Sequence, residues 1–147
     1  MKKCLFCEKD LSESKIFEGK YWNVLLNKEQ HYLGRSFIVL KRHEEDFLKL
    51  SLEERQELWE LIKITVSALK KLFSPDMFNY AVLGKQGELN TLHIHFHIYP
   101  RYKEKRIIHD ETFRDERFGQ NPYPYEKRFI EEELMRKMVN DMRKLFK

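Results

Sequence analysis

No stretch of this sequence approaches the roughly 20 consecutive apolar residues needed to cross a bilayer. Its opening residues, MKKCLFCEKD, are charged, with no apolar run of signal-peptide length behind them. No membrane partner is indicated, and a cytoplasmic location is expected. The chain also lacks a long run of Lys and Arg. Its 28 basic residues are nearly balanced by 24 acidic ones, and its pI of about 9.0 suits an anionic ligand. A protein that binds duplex nucleic acid usually concentrates its cations, so a nucleic-acid partner is not expected. Cysteine is scarce: Cys4 and Cys7 are the only two, which gives little reason to expect a disulfide scaffold. Internal repeats and low-complexity linkers are absent too. With 147 residues, 41% of them hydrophobic, the chain can bury one respectable core, and 1–147 reads as a single domain.

What is present is a coarse pattern of strands, one long helix, more strands and a last helix. KIFEGKYWNVLLN reads as two short strands around Gly19, and GRSFIVLK, from Gly34 to Lys41, as a third. The next segment begins with Ser51 and Glu54, spaced as a capping box, and continues as a helix to Phe73. Leu58, Ile62, Val66, Leu69 and Phe73 are read as its apolar stripe. MFNYAVL makes a fourth strand, Gly84 to Thr91 a polar loop, and the following strand closes the sheet, paired antiparallel with the fourth. Lys103 to Arg128 looks irregular and aromatic. Ile130 to Phe146 returns to helical spacing through Leu134, Met138, Met142 and Leu145. This order predicts an α+β fold, an antiparallel sheet with one long central helix and a C-terminal helix, rather than a wound parallel sheet.

The segment NTLHIHFHIYPRY holds His93, His95 and His97, three of the six histidines, at every second position. In a strand such spacing puts the imidazoles on one face and Leu92, Ile94, Phe96 and Ile98 on the other. Three readings of the row stand. The histidines are buried sheet residues satisfied by hydrogen bonds, or a metal clamp whose open position activates water, or a set built around a central nucleophile toward phosphorus. Neutral imidazole suits the last role, since an ordinary pKa near 6.5 leaves most of it deprotonated at pH 7. The CxxC of Cys4 and Cys7 reads as a redox pair or as half of a metal site. Its place at the start of the chain, with no strand before it, favours the metal site, and histidines are the other candidate ligands.

HIHFHIYPR resembles the histidine triad signature, and CLFC, LGRSFIVLKRHEEDFLKLS, FNYAVLG and ETFRDERFGQN extend the resemblance over nearly the whole chain. Together they look most like the diadenosine-polyphosphate hydrolase-like branch of the histidine triad (HIT) family. The resemblance implies that His95 is a nucleophile toward the α-phosphorus of a nucleotide and that His97 contacts the α-phosphate oxygens. It also implies that Cys4, Cys7, His43 and His93 hold a structural zinc ion, with no organic cofactor. Asn27 falls where relatives place a ribose contact, and Asn79 and Asn90 are candidates for phosphate contact or for positioning the nucleophile. His97, rather than the Gln of transferase branches, implies hydrolysis of dinucleoside polyphosphates or nucleoside phosphoramidates, with an adenine nucleotide as partner and a homodimer as assembly. Three features depart from the pattern or add to it. Arg35 follows Gly34 where a Gly-His pair often stands, Lys85 follows Gly84 in an extended loop, and 103–147 forms a C-terminal extension.

Overall fold

The computed structural model describes residues 4–82 and 92–146. Strands β1 (Lys15–Glu18), β2 (Trp22–Leu26), β3 (Ser36–Leu40), β4 (Met77–Val82) and β5 (His95–Arg101) form one antiparallel sheet in the order β1-β2-β3-β5-β4. A short turn of helix, α1 (Leu5–Glu8), precedes it, α2 (Leu52–Phe73) joins β3 to β4, and α3 (Glu132–Arg143) ends the chain. The fold is α+β, with the long helix and the C-terminal helix that the pattern predicted.

The sheet has two different faces because its strands alternate. Trp22, Val24, Leu26, Ile38, Leu40 and Ile98 join the buried side of α2 in the main core, while Leu25, Phe37 and Val39 form a smaller cluster on the opposite face with Phe6 and Leu11. Helix α2 starts at the predicted capping box: Ser51 accepts from the Glu54 backbone N–H and Glu54 accepts from that of Ser51. Its stripe differs from the predicted one. Leu58, Leu61, Thr65, Ala68, Leu69 and Phe73 are buried, whereas Ile62 and Val66 are half-buried. Each four-residue step along a helix overshoots a full turn by about 40°, so the run 58, 62, 66 drifts off the face that 58, 61, 65, 68 follows. Thr65 is tolerated there because its hydroxyl donates to the Leu61 carbonyl at 2.7 Å. At roughly 1.5–3 kcal/mol per fully buried large apolar side chain, this face is what holds α2 to the sheet.

Three other readings are corrected. The histidine strand does not close the sheet: β5 lies between β3 and β4, and β4 is the margin. It begins at His95, with His93 in a bend just before it. The region after Lys103 contains a hairpin, β6 (Arg106–Ile108) and β7 (Glu111–Phe113), whose two turn residues, His109 and Asp110, have φ of 48° and 67°. Positive φ at both positions is the two-residue hairpin turn, here without the Asn-Gly that usually announces it. Finally, α3 begins at Glu132 rather than Ile130, because Glu29 bridges Phe129 and the Ile130 N–H donates to the Lys28 carbonyl at 3.2 Å, holding the preceding residues extended.

Candidate functional site

The alternation that places Ile94, Ile98 and Tyr102 in the main core turns His95, His97, Tyr99 and Arg101 to the other face. His95 is 1% and His97 2% exposed. Phe6, carried by α1 between the two cysteines, packs against His95 and His93, its ring centroid 5.0 Å from that of His95 and 5.6 Å from that of His93. His95 Nδ1 lies 2.6 Å from the His93 carbonyl oxygen. A carbonyl oxygen only accepts, so Nδ1 carries the proton and Nε2 the lone pair. Burial pushes the His95 pKa below its ordinary value, and the nearby His93 and Arg35 act in the same direction. His97 is pushed down to about 2, first by burial and then by His95 and Arg35. Both rings are therefore neutral at pH 7.

His93 faces a different group. Its Nε2 sits 2.6 Å from the Leu40 carbonyl oxygen and must donate, which leaves the Nδ1 lone pair for other use. That Nδ1 is 3.3 Å from Cys4 Sγ, 3.5 Å from Cys7 Sγ and 3.2 Å from His43 Nδ1, and Cys7 Sγ is 3.4 Å from His43 Nδ1. Zinc bonds of ordinary length would put tetrahedral ligand atoms roughly 3.3–3.8 Å apart, so the donor set and the His93 tautomer fit a closed zinc site. The Cys7 thiol is pushed up to about 11 by desolvation and by Cys4, a cost that a bound cation reverses. The turn bearing His43 is fixed from behind. Arg42 Nε pairs with Glu54 Oε1 at 2.7 Å, so the carboxylate that caps α2 also anchors this turn.

Beyond His97 lies an ionic and phenolic cluster that the sequence did not announce. Arg35, 5% exposed, donates from Nη1 to Glu29 Oε2 at 2.7 Å and to the Tyr125 hydroxyl. Its Nη2 lies 3.4 Å from the hydroxyls of Tyr99 and Tyr123. Tyr99 reaches His97 Nδ1 at 3.2 Å and stacks on that ring at a 4° interplanar angle. The signal available was the alternation itself, which continues from His97 to Tyr99. Tyr123 and Tyr125 come from the C-terminal segment, far along the chain.

The asparagines are placed differently from one another. Asn27 follows β2 directly, and its Oδ1 accepts the Glu29 N–H at 3.0 Å, a turn-stabilising bond. Asn79 is paired with Tyr99 across β4 and β5, and its Oδ1 accepts from Arg101 at 2.7 Å. Asn90, Gly84 and Lys85 lie outside the described residues. Asn23, not singled out from sequence, is opposite Val39, which is opposite His95, and its Oδ1 is buried without a partner among the described residues. A cleft of about 520 Å³ between Ser12, Lys28 and α3 contains none of these groups.

Residues 8–104 match the model of a family described as the HIT domain. A HIT-like protein of Borreliella burgdorferi is 27% identical over 106 residues, 68% of this chain and 76% of its own. Among solved structures, a histidine triad protein of Bradyrhizobium japonicum superposes with a TM-score of 0.73 at 18% identity, covering 93% of this chain and 94% of its own. A zinc-bound histidine triad family protein of Mycobacterium smegmatis gives 0.61 at 18% identity over 97% and 94%. The diadenosine triphosphate hydrolase of Plasmodium falciparum gives 0.62 at 18% identity over 90% and 75%. At these identities the three structures speak to fold.

Proposed function

This chain belongs to the HIT domain family, and from that premise we propose that it is a nucleotide hydrolase of the diadenosine-polyphosphate type with His95 as nucleophile. The observation that carries the reading is the His95 tautomer, protonated at Nδ1 by its bond to the His93 carbonyl oxygen at 2.6 Å, with the Nε2 pair available for attack. Nε2 bonds to the α-phosphorus as the bond from phosphorus to the bridging oxygen breaks, or to nitrogen in a phosphoramidate. The departing group keeps the bonding electrons and takes a proton from solvent. Water then adds to phosphorus, the P–N bond returns its electrons to Nε2, a proton goes to solvent, and the nucleoside monophosphate leaves. With Tyr99 donating to His97 Nδ1, the Nε2–H of His97 is free to donate to the phosphate oxygens as charge develops there.

Cys4, Cys7, His43 and His93 would hold zinc. Bound there, the ion supplies a structural tie between the N-terminus and the histidine segment, with four protein ligands and no open position. The clustering counts against a catalytic metal clamp, because the metal-capable group among the described residues contains His93 but neither His95 nor His97. Asn27 and Asn79 stand as nucleotide contacts through their amide NH₂ groups, and Asn90 as a third. The whole chain acts as one unit, 103–147 being an extension that brings Tyr123 and Tyr125 to the histidine face. A homodimer would pair β4, the marginal strand on which Tyr80 and Val82 are exposed, with its copy. A binding module with little turnover is the second reading, favoured by the burial of His95 and His97.

The test compares wild type and His95→Ala on diadenosine tetraphosphate and an adenosine phosphoramidate, with AMP separated by chromatography. The hydrolase reading expects AMP from wild type and a loss of about 10³-fold or more in the variant, the scale on which removal of a catalytic group is felt. Nucleotide binding without AMP release would give the lead to the binding module.

A further inference from the structure

Two buried arginines flank the histidine face, and they use their donors differently. Arg101, 0% exposed, bonds Asp115 from Nε and Nη2, Asn79 and the Gln120 carbonyl from Nη1, and the Arg117 carbonyl from Nη2, all between 2.6 and 3.2 Å. Its five donors are spent. Arg35 is satisfied on one side only. Among the described residues, its Nη1 is held by Glu29 and Tyr125, whereas its Nε is buried with no acceptor and its Nη2 has two phenol oxygens at 3.4 Å. The Nε and Nη2 hydrogens point along one edge of the guanidinium, the edge that grips a carboxylate or phosphate through two oxygens.

That edge is held in place. Glu29 Oε1 accepts from the His31 and Arg128 backbone N–H groups at 2.9 and 2.8 Å, so the carboxylate steering Arg35 is itself fixed. The turn between β2 and β3 is locked by buried Gln30, which donates to the Asn27 and Arg35 carbonyls and accepts from the Gly34 N–H. Gly34 has φ of 86°, and a Cβ there would meet Leu69 at 2.7 Å, so the residue before Arg35 must be glycine. That buried edge lies toward the histidines: Nη2 meets Tyr99, Tyr99 meets His97, and His97 Nε2 is also buried without a partner among the described residues. Phe37 lies under both, 5.7 Å from the guanidinium and 4.8 Å from the His97 ring.

We propose that Arg35 is a phosphate clamp lying past His97, which grips a phosphate beyond the one attacked by His95 and so selects polyphosphate substrates over phosphoramidates. The proposal rests on the hydrolase reading for the identity of the attacked phosphate, but the anion site itself stands on the unpartnered Nε of Arg35 and Nε2 of His97. A polyphosphate leaves with negative charge gathering on the oxygen released from the α-phosphorus, and a bidentate cation at the next phosphate stabilises that charge. An amine leaving group offers the clamp nothing. Glu29 lies on the opposite edge, where it aims the fork without competing for it.

The variants are Arg35→Lys, which keeps a charge beside Glu29 but removes the fork, and Glu29→Gln/Arg35→Gln, which removes both charges of the buried pair and leaves neither unpaired. Calorimetric titration with inorganic pyrophosphate is expected to show binding by wild type at least tenfold tighter than by either variant. In turnover, each variant is expected to lose at least tenfold more kcat/KM on diadenosine tetraphosphate than on an adenosine phosphoramidate. Equal pyrophosphate binding by wild type and Arg35→Lys, no binding by wild type, or equal losses on the two substrates would each overturn the clamp. If wild type hydrolyses neither substrate yet binds pyrophosphate through Arg35, the hydrolase reading fails and the anion site survives.

Discussion

His93 donates its Nε2–H to the Leu40 carbonyl oxygen at 2.6 Å, and this bond turns its Nδ1 pair toward Cys4 and Cys7. A ring oriented by a backbone carbonyl is pre-set as a ligand, as outer hydrogen bonds commonly set metal-bound histidines. Metal analysis is therefore expected to find about one zinc per chain in wild type and in His95→Ala, and a strong loss in Cys4→Ala, Cys7→Ala and His93→Ala. Because the proposed ligands come from α1 and the residue before it, the turn after β3 and the segment before β5, losing a bound ion should cost several kcal/mol, or roughly 10 °C in Tm at this chain length. Zinc loss from His95→Ala, with zinc retained by Cys7→Ala, would contradict the assignment.

Stability should fall on the acid side of neutrality, and His97 accounts for part of the slope. Its folded pKa is pushed down to about 2, chiefly by burial, with His95 and Arg35 adding to the effect. In the unfolded chain it returns to about 6.5. Above that pH neither state binds the proton and nothing is lost. Below it the unfolded chain takes up a proton that the folded chain refuses, so stability drops by up to about 1.4 kcal/mol per pH unit. Urea titrations at pH 7.5 and 5.5 should show a loss in wild type that exceeds the loss in His97→Gln by about that amount. The comparison cancels whatever acid sensitivity the two proteins share. Identical losses would mean that His97 is protonated in the fold.

The activity profile should reflect His95 separately. Burial lowers its pKa, aided by His93 and Arg35 and opposed by its bond to the His93 carbonyl. A nucleophile must be neutral, so kcat/KM on diadenosine tetraphosphate, which has no terminal phosphate to titrate nearby, should hold its plateau down through pH 6.5 and decline only below it. A midpoint at or above 6.5 would show that the imidazole is not desolvated in the working enzyme.

Much of this site was legible because its chemistry is local in sequence. Alternation alone put His95 and His97 on one face, and Ser51 with Glu54 announced where α2 begins. The cluster around Arg35 was not legible, because Tyr123 and Tyr125 meet it across about ninety residues and no periodicity encodes that return. The hairpin at Arg106–Phe113 was missed for a local reason: His109 and Asp110 occupy positive φ where a reader looks for Asn or Gly. The position of β5 inside the sheet was hidden too, since pairing order depends on which strand α2 crosses and not on any one segment.

The ion pair between Arg101 and Asp115, 0% and 1% exposed, should prove a structural element of the histidine face. Asp115 also accepts the Tyr102 and Arg117 backbone N–H groups, and Arg101 takes the Arg117 and Gln120 carbonyls, so the pair ties the segment leading to Tyr123 onto β5. Removing one partner leaves an uncompensated buried charge, which typically costs about 3–5 kcal/mol. Asp115→Ala is thus expected to lower stability by that order in urea titration and to raise amide exchange through 117–123, while Arg101→Met/Asp115→Leu recovers part of the stability. Pyrophosphate affinity should fall in Asp115→Ala as well, because Tyr123 and Tyr125 flank Arg35 only while this segment is in place. Were exchange at 117–123 unchanged, the segment would have to be held by Tyr32, whose hydroxyl donates to the Pro122 carbonyl at 2.6 Å, and the pair would serve β5 alone.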